Sequence, residues 1–258
     1  MSRIKLAVCE APPELRHGSG EWKDLCSRVA GGAPDLMLLN ELPFGPWIAA
    51  GPALSEALWR ESCASHERGV AHLGELGATT VASTRPLELE GSRVNQGFVW
   101  TGNRLRGVHT KQYFPEEEGY YEARWFQAGE RHFRVEAAGP VRAGFLICTE
   151  LMFNEHARAM GRAGGQVLLV PRAVGPESLE RRLVAMRMAA IVSGCYVLSS
   201  NRAGTDSRGQ TFGGRAWIVD PEGNVVAETS PATPVVFHEI DTDLVTAAQR
   251  GYPCYVKE

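Results

Sequence analysis

Gly144-Phe145-Leu146-Ile147-Cys148-Thr149-Glu150-Leu151-Met152-Phe153 is the stretch on which the reading of this chain turns. Its first five residues form an apolar run of strand character, and the polar Thr149-Glu150 step marks where the chain leaves a sheet. The thiol of Cys148 is therefore expected at a strand's carboxyl end, where open α/β layers place their chemistry. Free cysteine is also among the most buried residue types, so the position alone fits a packed side chain equally well.

Two other strand ends bear on that choice. The apolar run Leu36-Met37-Leu38-Leu39 ends in Asn40-Glu41, and Val108-His109-Thr110 ends in Lys111. A single glutamate there is ordinarily solvated, and a single lysine snorkels to the surface. A base, a cation and a thiol at three such ends form a working set. A free thiol with pKa ~8.5 is mostly protonated at neutral pH and needs help to become a nucleophile. A carboxylate can take its proton, and an ammonium can stabilise the thiolate and then the oxyanion of a tetrahedral intermediate.

Outward from these segments the chain alternates strands and helices. Strands are expected at 4–9, 35–40, 78–83, 167–170 and 196–199, and helices at 21–30, 55–76, 155–162 and 177–193. Gly102-Asn103, Gly139-Pro140 and Asp220-Pro221-Glu222-Gly223 sit between apolar segments as hairpin turns. The pattern predicts mixed sheets with helices outside them. It contains no internal repeat, no linker and neither of the glycine-rich nucleotide fingerprints.

With 258 residues, 44% of them apolar and a formal charge of -3, one large domain covering 1–258 is expected. The mild negative charge and the lack of any basic run argue against nucleic acid and against an anionic membrane surface. The six cysteines are scattered, and no Cys/His cluster has zinc-ligand spacing, so no metal and no cofactor are expected. The opening Met1-Ser2-Arg3-Ile4-Lys5 lacks the apolar stretch of a signal peptide, and a reduced, cytoplasmic protein is the expectation.

At this point the chain resembles a family, the nitrilase superfamily of carbon–nitrogen hydrolases, in its amidase- and carbamoylase-like branch. Pro34 to Leu42 resembles the family's glutamate segment, His109-Thr110-Lys111 its lysine segment, and Gly144 to Glu150 its cysteine segment. Glu155 with Arg158, Ser200-Asn201-Arg202 and the Asp220 to Gly223 turn follow in the family's order. Asn154 stands where a proline is common, and Cys148-Thr149-Glu150 lacks the aromatic residue of better-known branches.

The resemblance implies an α/β fold, a four-layer αββα sandwich with mixed β-sheets. It also implies hydrolysis of a linear amide or N-carbamoyl compound through a thioester, with loss of ammonia or amine. Glu41 would be the base, Cys148 the nucleophile, and Lys111 with the backbone N–H of Thr149 the oxyanion holders. A second glutamate is expected to position the lysine. Glu122 fits best, in Glu122-Ala123-Arg124-Trp125-Phe126, with Glu118 in reserve. Arg172, at the end of the 167–170 strand, is expected to clamp a substrate carboxylate or else to pair with an internal acid. Glu150, Phe114 and Phe153 are further substrate-contact candidates, and His109 and His156 stand isolated. The partner is a small-molecule substrate, and a homodimer or higher homo-oligomer is expected. A nitrilase acting on a C≡N group and a degenerate binding or ammonia-handling member are the competing readings.

Overall fold

The computed structural model describes residues 3–130 and 132–257; Met1 and Ser2, part of the amino-terminal stretch read above, lie outside them. In chain order the elements are β1 (Ile4–Ala11), α1 (Gly20–Gly32), β2 (Leu36–Leu38), α2 (Glu56–Ala71), β3 (Thr80–Leu89), β4 (Ser92–Thr101), β5 (Arg104–Thr110) and α3 (Glu122–Trp125). They continue with β6 (Val135–Ala138), β7 (Val141–Phe145), α4 (Asn154–Arg162), β8 (Val167–Pro171), α5 (Leu179–Ser193) and β9 (Tyr196–Thr205). The last are β10 (Thr211–Gly213), β11 (Trp217–Val219), β12 (Val225–Glu228), β13 (Val235–Ile240) and α6 (Thr242–Arg250).

Alternation within β1 sorts the chain into layers. Leu6 and Val8 join a core with Leu36, Leu38, Phe145, Val167 and Leu169. Ala7 and Cys9 face the other way, into a core with Trp22, Leu25 and Val29 of α1. A strand apolar on both faces is a strand covered on both faces. One sheet runs β13-β1-β2-β3-β4-β5. The other runs β12-β11-β9-β8-β7-β6. Parallel pairing of Glu10 with Asn201 and of Ala11 with Arg202 joins them at the ends of β1 and β9. α1 and α2 lie outside the first sheet, and α4 and α5 outside the second, which is the expected αββα arrangement. The approach of α4 is close: a Cβ on Gly144 would lie 2.2 Å from Met160 Sδ. Among the described residues no helix is long and apolar enough to cross a membrane.

Several boundaries differ from the sequence reading. The strand before Cys148 ends at Phe145, and Cys148 instead opens a 3-10 turn, Cys148–Met152. The helix expected over 55–76 breaks at His72, and a separate 3-10 turn, Leu73–Leu76, follows. The Gly102-Asn103 hairpin forms, both residues adopting positive φ as such a two-residue turn requires. A longer hairpin joins β3 to β4 through Glu90-Gly91, also at positive φ. It went unread because Glu90 is not a turn-forming residue type.

Candidate active site

Three segments converge at one end of the two sheets. Glu41 lies just past β2, where Asn40 O accepts a hydrogen bond from Ser83 Oγ at 2.8 Å and Glu41 N–H donates to Arg172 O at 3.1 Å. Lys111 follows β5, and its N–H donates to Asn95 O on β4 at 2.9 Å. Cys148 follows β7. The side chains of Glu41, Lys111 and Glu122 are all fully buried.

Lys111 Nζ donates to Glu41 Oε1 at 2.7 Å and to Glu122 Oε2 at 2.6 Å, so one ammonium bridges two carboxylates. Asn95 Nδ2 adds a third contact, to Glu41 Oε1 at 2.8 Å. Among the described residues neither Glu41 Oε2 nor Glu122 Oε1 has a hydrogen-bond partner. Each carboxylate thus keeps one oxygen able to take a proton. Glu118 is exposed and makes no part of this row.

The charges shape one another's titration. Burial works against the Lys111 ammonium, but Glu122 and then Glu41 outweigh it and hold its proton more tightly than in an ordinary lysine. Burial lifts the Glu122 carboxyl to about 8, with Lys111 pulling it down and Glu41 pushing it up. Two buried carboxylates sharing one ammonium leave a net negative charge, and a further proton is the cheapest relief. Burial, then the Glu41 carboxylate, pushes the Cys148 thiol up to about 11 against the opposing pull of Arg182 and Lys111. At neutral pH the sulfur is therefore protonated, and use of it as a nucleophile would require a base.

Cys148 adopts φ +51, a left-handed conformation rare for a residue with a side chain. Hydrogen bonds on both sides hold it there. Arg182 Nη1 donates to Cys148 O at 2.9 Å. The preceding Ile147 N–H donates to Glu150 Oε2 at 2.7 Å. Leu42, next to Glu41, is likewise at φ +45, its N–H bonded to Thr84 Oγ1 at 2.8 Å and its carbonyl to Arg202. Strain maintained this way clusters at functional positions.

A cavity of about 130 Å3 opens beside Cys148. Thr149, Glu122, Tyr120, Pro115 and Val174 form its inner wall, with Arg182, Ser178, Glu177 and Glu117 completing it. Four of the expected substrate contacts do not line it. Arg172 turns into the core: its Nε donates to Ser199 Oγ at 2.5 Å and its Nη2 to Arg215 O at 2.6 Å, and it lies over the Trp217 ring at 4.4 Å. Burial lowers its pKa to about 9, and among the described residues it has no acidic partner. Both alternatives set out for Arg172, substrate clamp and internal ion pair, are thus corrected. Stacking on an indole inside the sandwich accounts for this buried guanidinium. Arg172→Met is accordingly expected to leave the ratio of KM values for acidic and neutral amides within about threefold, or ~0.7 kcal/mol; a larger shift in steady-state assays would put Arg172 back at the substrate.

Glu150 is corrected too. Its oxygens accept from Gln112 N at 2.6 Å and from Ile147 N, and both lie near His109 Nε2, at 3.0 and 2.9 Å. It braces the Cys148 turn against the Lys111 segment, leaving nothing for a substrate, and His109 is not isolated. Phe153 is partly exposed and packs on Tyr113, ring centroids 4.3 Å apart. Phe114 stays near the row, 5.8 Å from Lys111 Nζ, but stacks on Phe126. The sequence reading missed Asn95, Tyr120 and Arg182. Neither Asn95 nor Arg182 had a distinct signal: β4 also carries Ser92, Arg93 and Gln96, and Arg182 is one arginine among several on α5.

The layered fold and this buried Glu-Lys-Glu row beside a strained cysteine define the class of protein. A family model described as carbon-nitrogen hydrolase matches residues 5–250, and the chain belongs to that family. Among curated proteins it is 28% identical over 161 residues to N-carbamoylputrescine amidase of Arabidopsis thaliana, covering 57% of this chain and 54% of that protein. It is 31% identical over 134 residues to a citrullinase of Francisella tularensis, covering 48% and 47%. The chain spans about half the length of the curated relatives it matches. Its fold resembles a carbon-nitrogen hydrolase of Helicobacter pylori with TM-score 0.84 and 20% identity, covering 98% of this chain and 94% of that one. An amidase of Nesterenkonia sp. aligns with TM-score 0.74 and 19% identity, covering 95% and 93%.

Proposed function

We propose that this chain hydrolyses a linear amide or N-carbamoyl compound, with Cys148 as nucleophile and a thioester as intermediate. The observation that carries this reading is the buried Glu41-Lys111-Glu122 row, whose Glu122 lines the same cavity as Cys148. As the sulfur attacks the scissile carbon, the free Oε2 of Glu41 takes the thiol proton. Negative charge gathering on the substrate oxygen is met by the Lys111 ammonium and the Thr149 N–H. Glu41 then protonates the departing nitrogen, and the carbon–nitrogen bond breaks to leave the thioester. Water, deprotonated by the same carboxylate, attacks the thioester and returns the thiol. Glu122 holds Lys111 in place and exchanges protons with the row, which its raised pKa of about 8 favours. In the structurally similar Nesterenkonia amidase, a variant carries the acetamide moiety of fluoroacetamide covalently on its active-site cysteine, which supports a nucleophilic role for Cys148 here.

The test is ammonia release from a panel of short amides, N-carbamoyl compounds and nitriles, with intact-mass detection of an acyl adduct. Turnover of amides or carbamoyl compounds supports the reading. Turnover of nitriles alone replaces it with a nitrilase, and no release from any compound favours a binding role.

Arg182 takes the place by the cavity that Arg172 does not, and we assign it to hold the Cys148 turn and the polar part of the acyl group. Arg182→Met is expected to raise KM roughly 10-fold, on the scale of one charge-assisted hydrogen bond of ~1.5 kcal/mol. An unchanged KM in steady-state kinetics would remove it from the site. The homo-oligomer reading is supported by exposed Val184, Met188 and Ile191 on α5, a helix that contacts the turn carrying exposed Met152. Six unpaired cysteines support a reduced, cytoplasmic setting.

A further inference from the structure

Away from the cavity, three segments bring donor atoms to one point on the surface. His17 lies in the connection between β1 and α1, His72 caps the end of α2, and Glu75 sits in the 3-10 turn that follows. His17 Nε2 is 3.1 Å and His72 Nδ1 3.0 Å from the same oxygen, Glu75 Oε1. All three donor atoms lie within 4.8 Å of one another. The other carboxylate oxygen accepts a hydrogen bond from Trp22 Nε1 at 2.8 Å, and Trp22 is buried.

These distances suit a metal ion. Tetrahedral zinc with bonds of about 2.0–2.1 Å sets neighbouring donors about 3.3 Å apart. Two imidazoles and a carboxylate are a donor set favoured by divalent ions at the zinc end of the first transition row. Trp22 does what partners behind a metal ligand do: it fixes the carboxylate so that Oε1 faces the imidazoles. The rings of His17 and His72 are stacked, 3.4 Å between centroids and 11° between planes. An ion lying in both ring planes requires them to tilt apart. Neither ring is buried, so the tilt disturbs no core.

We propose that His17, His72 and Glu75 bind a zinc-class divalent transition-metal ion, clamping the β1–α1 connection to the end of α2. The clamp bears on the site described above, because Leu15 in that connection exchanges hydrogen bonds with Pro43 and Gly45, just past Glu41. The sequence carried a short His72-x-x-Glu75 spacing, but His17, 58 positions from Glu75, belongs to no such pattern.

The experiment is calorimetric titration of Zn2+ into the untagged chain carrying Cys148→Ala, which removes the thiol as a competing ligand. The same titration is repeated with His17→Ala or His72→Ala added. Expected are one ion per chain with a micromolar dissociation constant, weakened about 10-fold or more by either histidine change. Zn2+ should raise the unfolding midpoint, and His17→Ala should abolish that rise. Ni2+ should quench part of the tryptophan emission, because the Trp22 ring lies 5.9 Å from that of His17. No saturable Zn2+ binding, or binding and stabilisation unchanged by both histidine substitutions, would overturn the proposal.

Discussion

Cys148→Ala is expected to lower turnover on the order of 10⁴-fold or more while leaving the fold intact, because the covalent route disappears with the thiol. Alanine fits where cysteine stood, and the turn is held by other contacts, Arg182 to Cys148 O and Ile147 N–H to Glu150. The other five cysteines give a contrast within the same chain. Burial pushes Cys9 and Cys195 up to about 12, and each sulfur faces backbone carbonyls rather than a carboxylate base. Changing them should leave kcat within a few-fold. The measurement is ammonia release alongside intact-mass analysis: an acyl adduct trapped on the wild-type chain should be absent from Cys148→Ala. Substantial activity in that variant would end the thioester mechanism.

Glu41→Gln and Lys111→Met are expected each to cost roughly 10²-fold or more in kcat, the scale of one lost acid–base or oxyanion contact. They should differ in stability. Glu41→Gln keeps shape and leaves Lys111 paired with Glu122. Lys111→Met leaves two buried carboxylates without their shared ammonium, and a broken buried pair costs about 3–5 kcal/mol. Combined, the two changes should cost far less than the sum in kcat, because the residues act as one unit. A separate readout distinguishes a base from a mere prop. The Glu41 charge helps hold the Cys148 thiol at about 11, so Glu41→Gln should move the pH midpoint of Cys148 alkylation downward. An upward or absent shift, with additive kinetic losses, would take Glu41 out of the mechanism.

The strand ends at Glu41 and Cys148 were legible because each paired a buried apolar run with one charged or reactive residue at its close, whereas the strand before Lys111 is mixed and largely uncovered, and its lysine was read from its place at the strand's end. Period-two alternation places such residues at the rim of a sheet, and the order of segments matched a known family. Glu122 was legible only through that family pattern, since its neighbours Glu116, Glu117 and Glu118 have the same chemistry. What separates them is burial: Glu122 is inside against Lys111, and the other three are exposed. Arg172 shows the limit. Its place after β8 was correctly read as next to the site, for Glu41 N–H bonds its carbonyl. Its side chain nonetheless points into the sandwich, over Trp217.

By itself, then, the sequence determined the mixed sheets flanked by helices and the strand ends that carry chemistry, because these depend on local periodicity and on residue type, while the four-layer order followed from the family resemblance. The tertiary structure alone decided which carboxylate meets Lys111, which arginine reaches the cavity and that His17, His72 and Glu75 meet. Those contacts join residues far apart in the chain, or depend on the direction a single side chain takes. Neither distance across the fold nor rotamer choice leaves a periodic trace in the order of amino acids.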